Sequence, residues 1–209
     1  MPLRLDHVIY AGRDLDTLMS GFAALTGVAP VRGGRHPGLG TRNALASLGD
    51  DVYFELLAVD PEQATALAGT LGGRIDALPS PRLLAYMLKG AGLERQQEIL
   101  ARHGIASDLF DASRNTPDGR TLRWRLLVPR DNAWGDWVPK FIDWLDTVHP
   151  ATTSVPGCRL ETFEMGHPDA ARLNELLAEL GADLVAQTAD QPFFQLRLQT
   201  PRGRVSFVG

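Results

Sequence analysis

LRLDHVIYAGRDLD, residues 3–16, decides how this chain folds. Its first eight residues alternate: Leu3, Leu5, His7 and Ile9 fall on one face and Arg4, Asp6, Val8 and Tyr10 on the other, the period-two pattern of a β-strand. His7 thereby points with the apolar set. Gly12 turns the chain, Asp14 is placed to cap a helix, and Leu15, Leu18, Met19, Phe22 and Leu25 recur at helical spacing until Gly27 stops the run. Downstream, a glycine-rich loop, GGRHPGLGTRN (33–43), leads into NALASLG (43–49) and DVYFELLAV (51–59), two strand-like stretches joined by a turn at Gly49, Asp50 and Asp51. Residues 1–59 read as a βαβββ unit.

The pattern recurs. Residues 60–81, rich in Ala, Gly, Pro and Asp, read as a linker with room for one short helix. In 82–146, RLLAYMLKG reads as a strand, LERQQEILARHG as a helix, and SDLFDAS, TLRWRLLVP and KFIDWL as three more strands, with Trp134 and Trp137 in a loop. A second linker, 147–157, precedes a looser third unit over 158–209: CRLETFEM, the helical HPDAARLNELLAELG, FFQLRLQT and RVSFVG. Sliding the chain by 155 residues places Arg4, Leu5, Asp14, Leu18 and Leu25 on Arg159, Leu160, Asp169, Leu173 and Leu180, in matching strand and helix positions.

Composition narrows the function. With 209 residues, 44% of them hydrophobic and 22% charged, the chain can bury a sizeable core, which excludes disorder. A net charge of −4 without a long basic run argues against nucleic acid, and no apolar run reaches the length of a membrane span. The charged N-terminal stretch lacks a signal-peptide core, and the single Cys158 cannot form an internal disulfide. A cytoplasmic protein is expected.

Three βαβββ units, the first opened by LDHVIYAGRDLD and closed by DVYFELLAVD, resemble the vicinal oxygen chelate superfamily. GGRHPGLGTRNAL, with PDGRTLRWRLLVP, FIDWL and HPA in order behind it, resembles more closely its glyoxalase-like domain family, over residues 3–151. The resemblance implies an α+β fold in which paired units curl into an open barrel, with a concave face that holds a small molecule or a divalent metal. It implies metal ligands from the first and last strands of each unit, His7 and Glu55 in the first. The equivalent places elsewhere carry Thr162 and Ser206, or Ala85 or Tyr86 with Asp143, and two ligands leave most of a coordination sphere to water. The expectation is therefore a small-molecule cavity lined by His7, Arg42, Asn43, Tyr53 and Glu55 without a complete metal site. The alternative is a lyase, isomerase or oxygenase using zinc, manganese or iron at His7 and Glu55, with Asp143 or His36 as a third ligand.

Glu55 is the candidate catalytic group, because a carboxyl among apolar neighbours is suited to proton transfer near neutrality. The bland reading of His7 and Glu55 is a buried pair that satisfies itself. Arg42 and His36 have ordinary readings too, as a surface ion pair and a turn cap. Arg123 and Arg125 share a strand face that either grips a carboxylate or simply meets solvent, and Trp124 reads as core. Arg114, Asp118 and Gly119 read as turn chemistry, and Cys158 as a structural thiol. His103, His149 and His167 are assigned to no site. Three units leave one without a partner, from which a homodimer follows as an expectation.

Overall fold

The computed structural model describes residues 2–49, 51–115 and 121–209. Along the chain run β1 (Arg4–Gly12), α1 (Leu15–Thr26), β2 (Val31–His36), β3 (Thr41–Ser47), β4 (Tyr53–Val59), a 3-10 turn at Pro61–Ala66, α2 (Leu71–Asp76), β5 (Arg82–Lys89), α3 (Glu94–Arg102), β6 (Ser107–Asn115) and β7 (Thr121–Pro129). A 3-10 turn at Gly135–Trp137, β8 (Lys140–Asp143), α4 (Pro150–Thr153), β9 (Arg159–His167), α5 (Ala170–Leu180), β10 (Ala186–Thr188), β11 (Phe193–Thr200) and β12 (Gly203–Val208) complete it. Asp50, Asp118 and Gly119, assigned above to turns, and the Arg114 side chain lie outside the described residues.

The first eight strands are ordered β2-β3-β4-β1-β5-β8-β7-β6. In both βαβββ units the first strand thus neighbours the fourth, with the third and second following outward. The last four strands form a separate sheet ordered β10-β9-β11-β12, in which β10 runs parallel to β9. The third unit therefore keeps the element order of the others but not their strand pairing. Its opening is in register with the first: β9 and α5 begin 155 residues after β1 and α1. The α+β class with repeated βαβββ units and a looser third copy is as the sequence indicates.

The chain forms two compact bodies. One, here the α1 body, comprises Val8–Leu84, Pro150–Phe163 and Gln195–Gly209. Asp14 caps α1 by accepting from the Thr17 backbone N–H, and Gly27, at φ 78°, closes it in the left-handed conformation that suits glycine. The helix buries Leu15, Leu18 and Phe22. Phe22 packs on Phe54 with ring centroids 5.1 Å apart, and Phe207 of β12 joins both at 5.8 and 4.9 Å. Burying each such ring is worth about 1.5–3 kcal/mol. Phe54 thus marks the helix-facing side of β4, and Tyr53, Glu55 and Leu57 take the opposite side.

The other, the α3 body, comprises residues up to His7, Ala85–His149 and Glu164–Phe194. Its core sets Trp137 against Phe194, stacked at 4.4 Å, with Tyr86 edge-on to Phe194 and its hydroxyl donating to the Trp137 carbonyl at 2.9 Å. The α5 residues Leu173, Leu176, Leu177 and Leu180 are buried in this body, as are Ile99 and Leu100 of α3. Asp169 stands at the α5 N-cap as its spacing suggests, yet makes no capping bond: its carboxylate accepts from Trp134 Nε1 at 2.9 Å.

Two readings need correction. The glycine-rich stretch is not a free loop: residues 33–36 complete β2, because its antiparallel ladder with β3 tolerates Gly33 and Gly34 at a register shift between Arg32 and Arg35. Nor does β1 have a polar face: Asp6 and Val8 are as buried as His7 and Ile9, so alternation there does not separate inside from outside.

Candidate functional site

In the α1 body, β3 and β4 pair so that Leu45 opposes Glu55, Ser47 opposes Tyr53 and Asn43 opposes Leu57. Asn43, Leu45 and Ser47 therefore share the face of Tyr53, Glu55 and Leu57, away from α1. All six are buried. The diagonal pair meets: Asn43 Nδ2 donates to Glu55 Oε1 at 2.6 Å, while Asn43 Oδ1 accepts from the Gly34 N–H at 2.8 Å. That second bond fixes which way the amide points, because only the oxygen can accept from a backbone N–H. His36 adjoins from the strand end, its Nε2 3.4 Å from Asn43 Nδ2 and its Nδ1 2.9 Å from Thr41 Oγ1. Donation by the amide to Nε2 puts the imidazole proton on Nδ1, which then donates to the threonine hydroxyl. Glu55, 7% exposed, thus sits in a network that reaches the β2–β3 hairpin.

The hairpin is stapled from its other side. Arg35 donates Nε and Nη2 to the two oxygens of Asp60 at 2.9 and 2.7 Å and also pairs with Glu62. Gln63 Nε2 donates to Asp60 at 2.7 Å, and Gln63 Oε1 accepts from the Gly38 N–H at 3.0 Å. The Arg35 bonds, opposed by burial, lower the Asp60 carboxyl pKa to about 2. Arg42, the neighbour of Asn43, takes the opposite side of β3 by alternation. It lines a cleft of about 230 Å³ with Leu15, Arg32, Gly33, Gly34, Arg35, Asn43 and Glu62.

His7 stands in the α3 body, where the sequence reading missed the residues that matter most. Asp6, with 0% exposure, accepts from His7 Nδ1 at 2.6 Å, His149 Nε2 at 2.8 Å and Trp144 Nε1 at 2.9 Å. Burial alone would push this carboxyl up; hydrogen bonds from His149 and His7, with the attraction of the two rings, hold it below the usual carboxylate range. A carboxylate on Nδ1 fixes the His7 tautomer and ring orientation. Trp144 is a turn residue rather than the end of a strand, since β8 stops at Asp143 and Leu145 takes φ 53°. Its ring lies 5.6 Å from Trp124 and edge-on to His149 at 5.7 Å. One signal was available: an Asp directly before the His on a strand that carries few charges.

Arg125 pairs with Glu94 and Asp111 while Arg123 is exposed, Trp124 is half-buried, and Cys158 is buried. Among the described residues no group of three His, Cys, Asp or Glu side chains is arranged to hold a metal ion. The described residues thus present no three-donor group for the divalent ion that the resemblance implies.

A strand-helix-strand repeat of this pairing, with buried polar side chains on the face away from its helix, defines a class of small α+β proteins. The profile of the glyoxalase-like domain matches residues 5–181, and the chain belongs to that family, as its motifs indicated. No curated protein matches the sequence. Among solved structures the chain is similar to a hypothetical protein from Staphylococcus aureus, at 18% identity and a TM-score of 0.66, over 99% of this chain and 85% of that one. It is also similar to methylmalonyl-CoA epimerase from Mycobacterium tuberculosis, at 21% identity and a TM-score of 0.47, over 68% and 87%. The first likeness is one of fold.

Proposed function

We propose that this protein binds a small organic molecule bearing a carboxylate or carbonyl oxygen at the Asn43, Tyr53 and Glu55 face of β3 and β4. The observation that supports this is the buried Asn43–Glu55 hydrogen bond. Polar side chains cost free energy where leucine or valine would pack, and such a cluster beside a glycine-containing bulge suits recognition of a polar group. Asn43 and Tyr53 orient the ligand, and Glu55 is the group to exchange a proton with it. His7 enters the reading through its own surroundings, as an imidazole whose tautomer Asp6 sets.

The test is calorimetric titration of small carboxylic acids and carbonyl compounds against wild type, Asn43→Leu and Glu55→Gln. Affinity should fall at least tenfold in both variants. A set of binders none of which loses affinity in either would refute the reading.

The reading extends to a cytoplasmic homodimer. Among the described residues no helix is long and apolar enough to cross a membrane, and β12 is an edge strand with Val208 exposed. Cell fractionation checks the location. Light scattering at micromolar concentration should give twice the chain mass, and a monomer would exclude the dimer.

A further inference from the structure

The cleft beside Arg42 carries an inference that does not rest on the Glu55 face. Three guanidinium groups, of Arg32, Arg35 and Arg42, line this cleft of about 230 Å³ in the α1 body, together with one carboxylate, Glu62, and with Asn43. Two are already neutralised: Arg32 by Asp16, Arg35 by Asp60 and Glu62. Arg42 is different. Its Nε is buried and finds no hydrogen-bond partner. The carboxylate whose field it shares, Asp14, caps α1 through one oxygen, which accepts from the Thr17 N–H and hydroxyl at 2.7 Å each.

A guanidinium cannot shed its proton to escape this position, and a buried N–H without an acceptor forfeits the hydrogen bond that water would give it. The edge formed by Nε and one terminal nitrogen matches the two oxygens of a carboxylate, and a pair made there is stronger than a neutral hydrogen bond. The surroundings leave room for it. The register shift between Arg32 and Arg35 puts Gly33 and Gly34 at the wall, where no side chain fills the space, and Leu15 supplies an apolar side. The volume is below the range of whole-cofactor pockets, so the occupant is a short group.

We propose that this cleft is a binding site for the carboxylate of a short organic acid, with Arg42 as its receptor. The apolar Leu15 wall favours an organic acid over a bare inorganic oxyanion. Sodium malonate and sodium phosphate are the probes, titrated against sodium chloride at constant ionic strength and followed by thermal denaturation and calorimetry. Malonate should raise the wild-type melting temperature saturably. Arg42→Gln should weaken malonate binding at least tenfold, and Arg42→Lys, which keeps the charge but lacks the planar fork, severalfold. Malonate affinity lost in Glu55→Gln but kept in Arg42→Gln would place the acid on the Glu55 face and overturn the proposal. Absence of saturable binding beyond chloride, or equal malonate affinity in wild type and Arg42→Gln, would overturn the proposal. Phosphate bound in preference to malonate would overturn the organic-acid assignment. Circular dichroism checks that Arg42→Gln folds, and Arg42→Lys carries the test if it does not.

Discussion

Replacing Asp60 by alanine asks whether the β2–β3 hairpin is held by charge or by its ladder alone. The side chain is fully buried and accepts from Arg35 twice, from Gln63, and from the Glu62 backbone N–H at 3.2 Å, the last as the cap of the turn that follows. Losing the cap costs about 1 kcal/mol, and releasing the Gln63 amide about 1 kcal/mol. The Arg35 pair adds only about 0.5–1 kcal/mol, because Arg35 is 45% exposed and rehydrates when its partner goes. Asp60→Ala should therefore destabilise the protein by about 2–3 kcal/mol at pH 7, and Asp60→Asn, which keeps one acceptor, by less. Urea unfolding followed by circular dichroism reads this as a lower midpoint at unchanged slope. The pH dependence has a definite sign. The folded carboxyl titrates at about 2 against an ordinary 3.8, so the unfolded chain takes up the proton first as pH falls. The stabilisation is complete above about pH 4 and is lost towards pH 2, at no more than about 1.4 kcal/mol per pH unit. The gap between wild type and Asp60→Ala should narrow from pH 5 to pH 2. A gap under about 1 kcal/mol at pH 7, or one that widens on acidification, would refute this account of the staple.

Asp6→Ala should be costlier, about 3–5 kcal/mol, since it strands His7, His149 and Trp144 donors around a fully buried position; chemical denaturation measures it, and a loss below about 1 kcal/mol would show that these donors find other acceptors. Gly72→Ala should cost about 1–3 kcal/mol, because the added Cβ would lie 2.4 Å from the Gly40 carbonyl oxygen, a backbone atom with little freedom to yield. An unchanged melting temperature would count against that packing.

What could be read from the sequence follows from which signals are local. Asp14, Gly27 and the spacing of Leu15, Leu18 and Phe22 lie within one helix, and each is found where its spacing put it. The shared face of Asn43, Tyr53 and Glu55 was equally legible, since alternation along β3 and β4 fixes it once the strands pair. β2 was hidden because Gly33 and Gly34 have low strand propensity and are held only by the neighbouring strand. Asp6 was hidden for another reason: its partners Trp144 and His149 lie 138 and 143 residues away, and no local pattern announces a bond of that span. Asp169 shows the limit even of a correct placement, because a distant indole took the carboxylate that the helix would have used.

The interleaving of the two bodies along the chain has a consequence for how the protein is made. Each body draws on three separate segments, taken alternately as the chain lengthens. The aromatic cluster of Phe22 and Phe54 is completed by Phe207, which is synthesised long after either. A growing chain that already holds β1, α1 and the three strands after it therefore lacks part of its own core while the other body is still being translated. Non-local closure of this kind is slow and leaves apolar surface uncovered in the interval. A nascent chain arrested before β11 should accordingly be open to protease at α1 and bound by chaperones, and acquire resistance only when the final hairpin has left the ribosome.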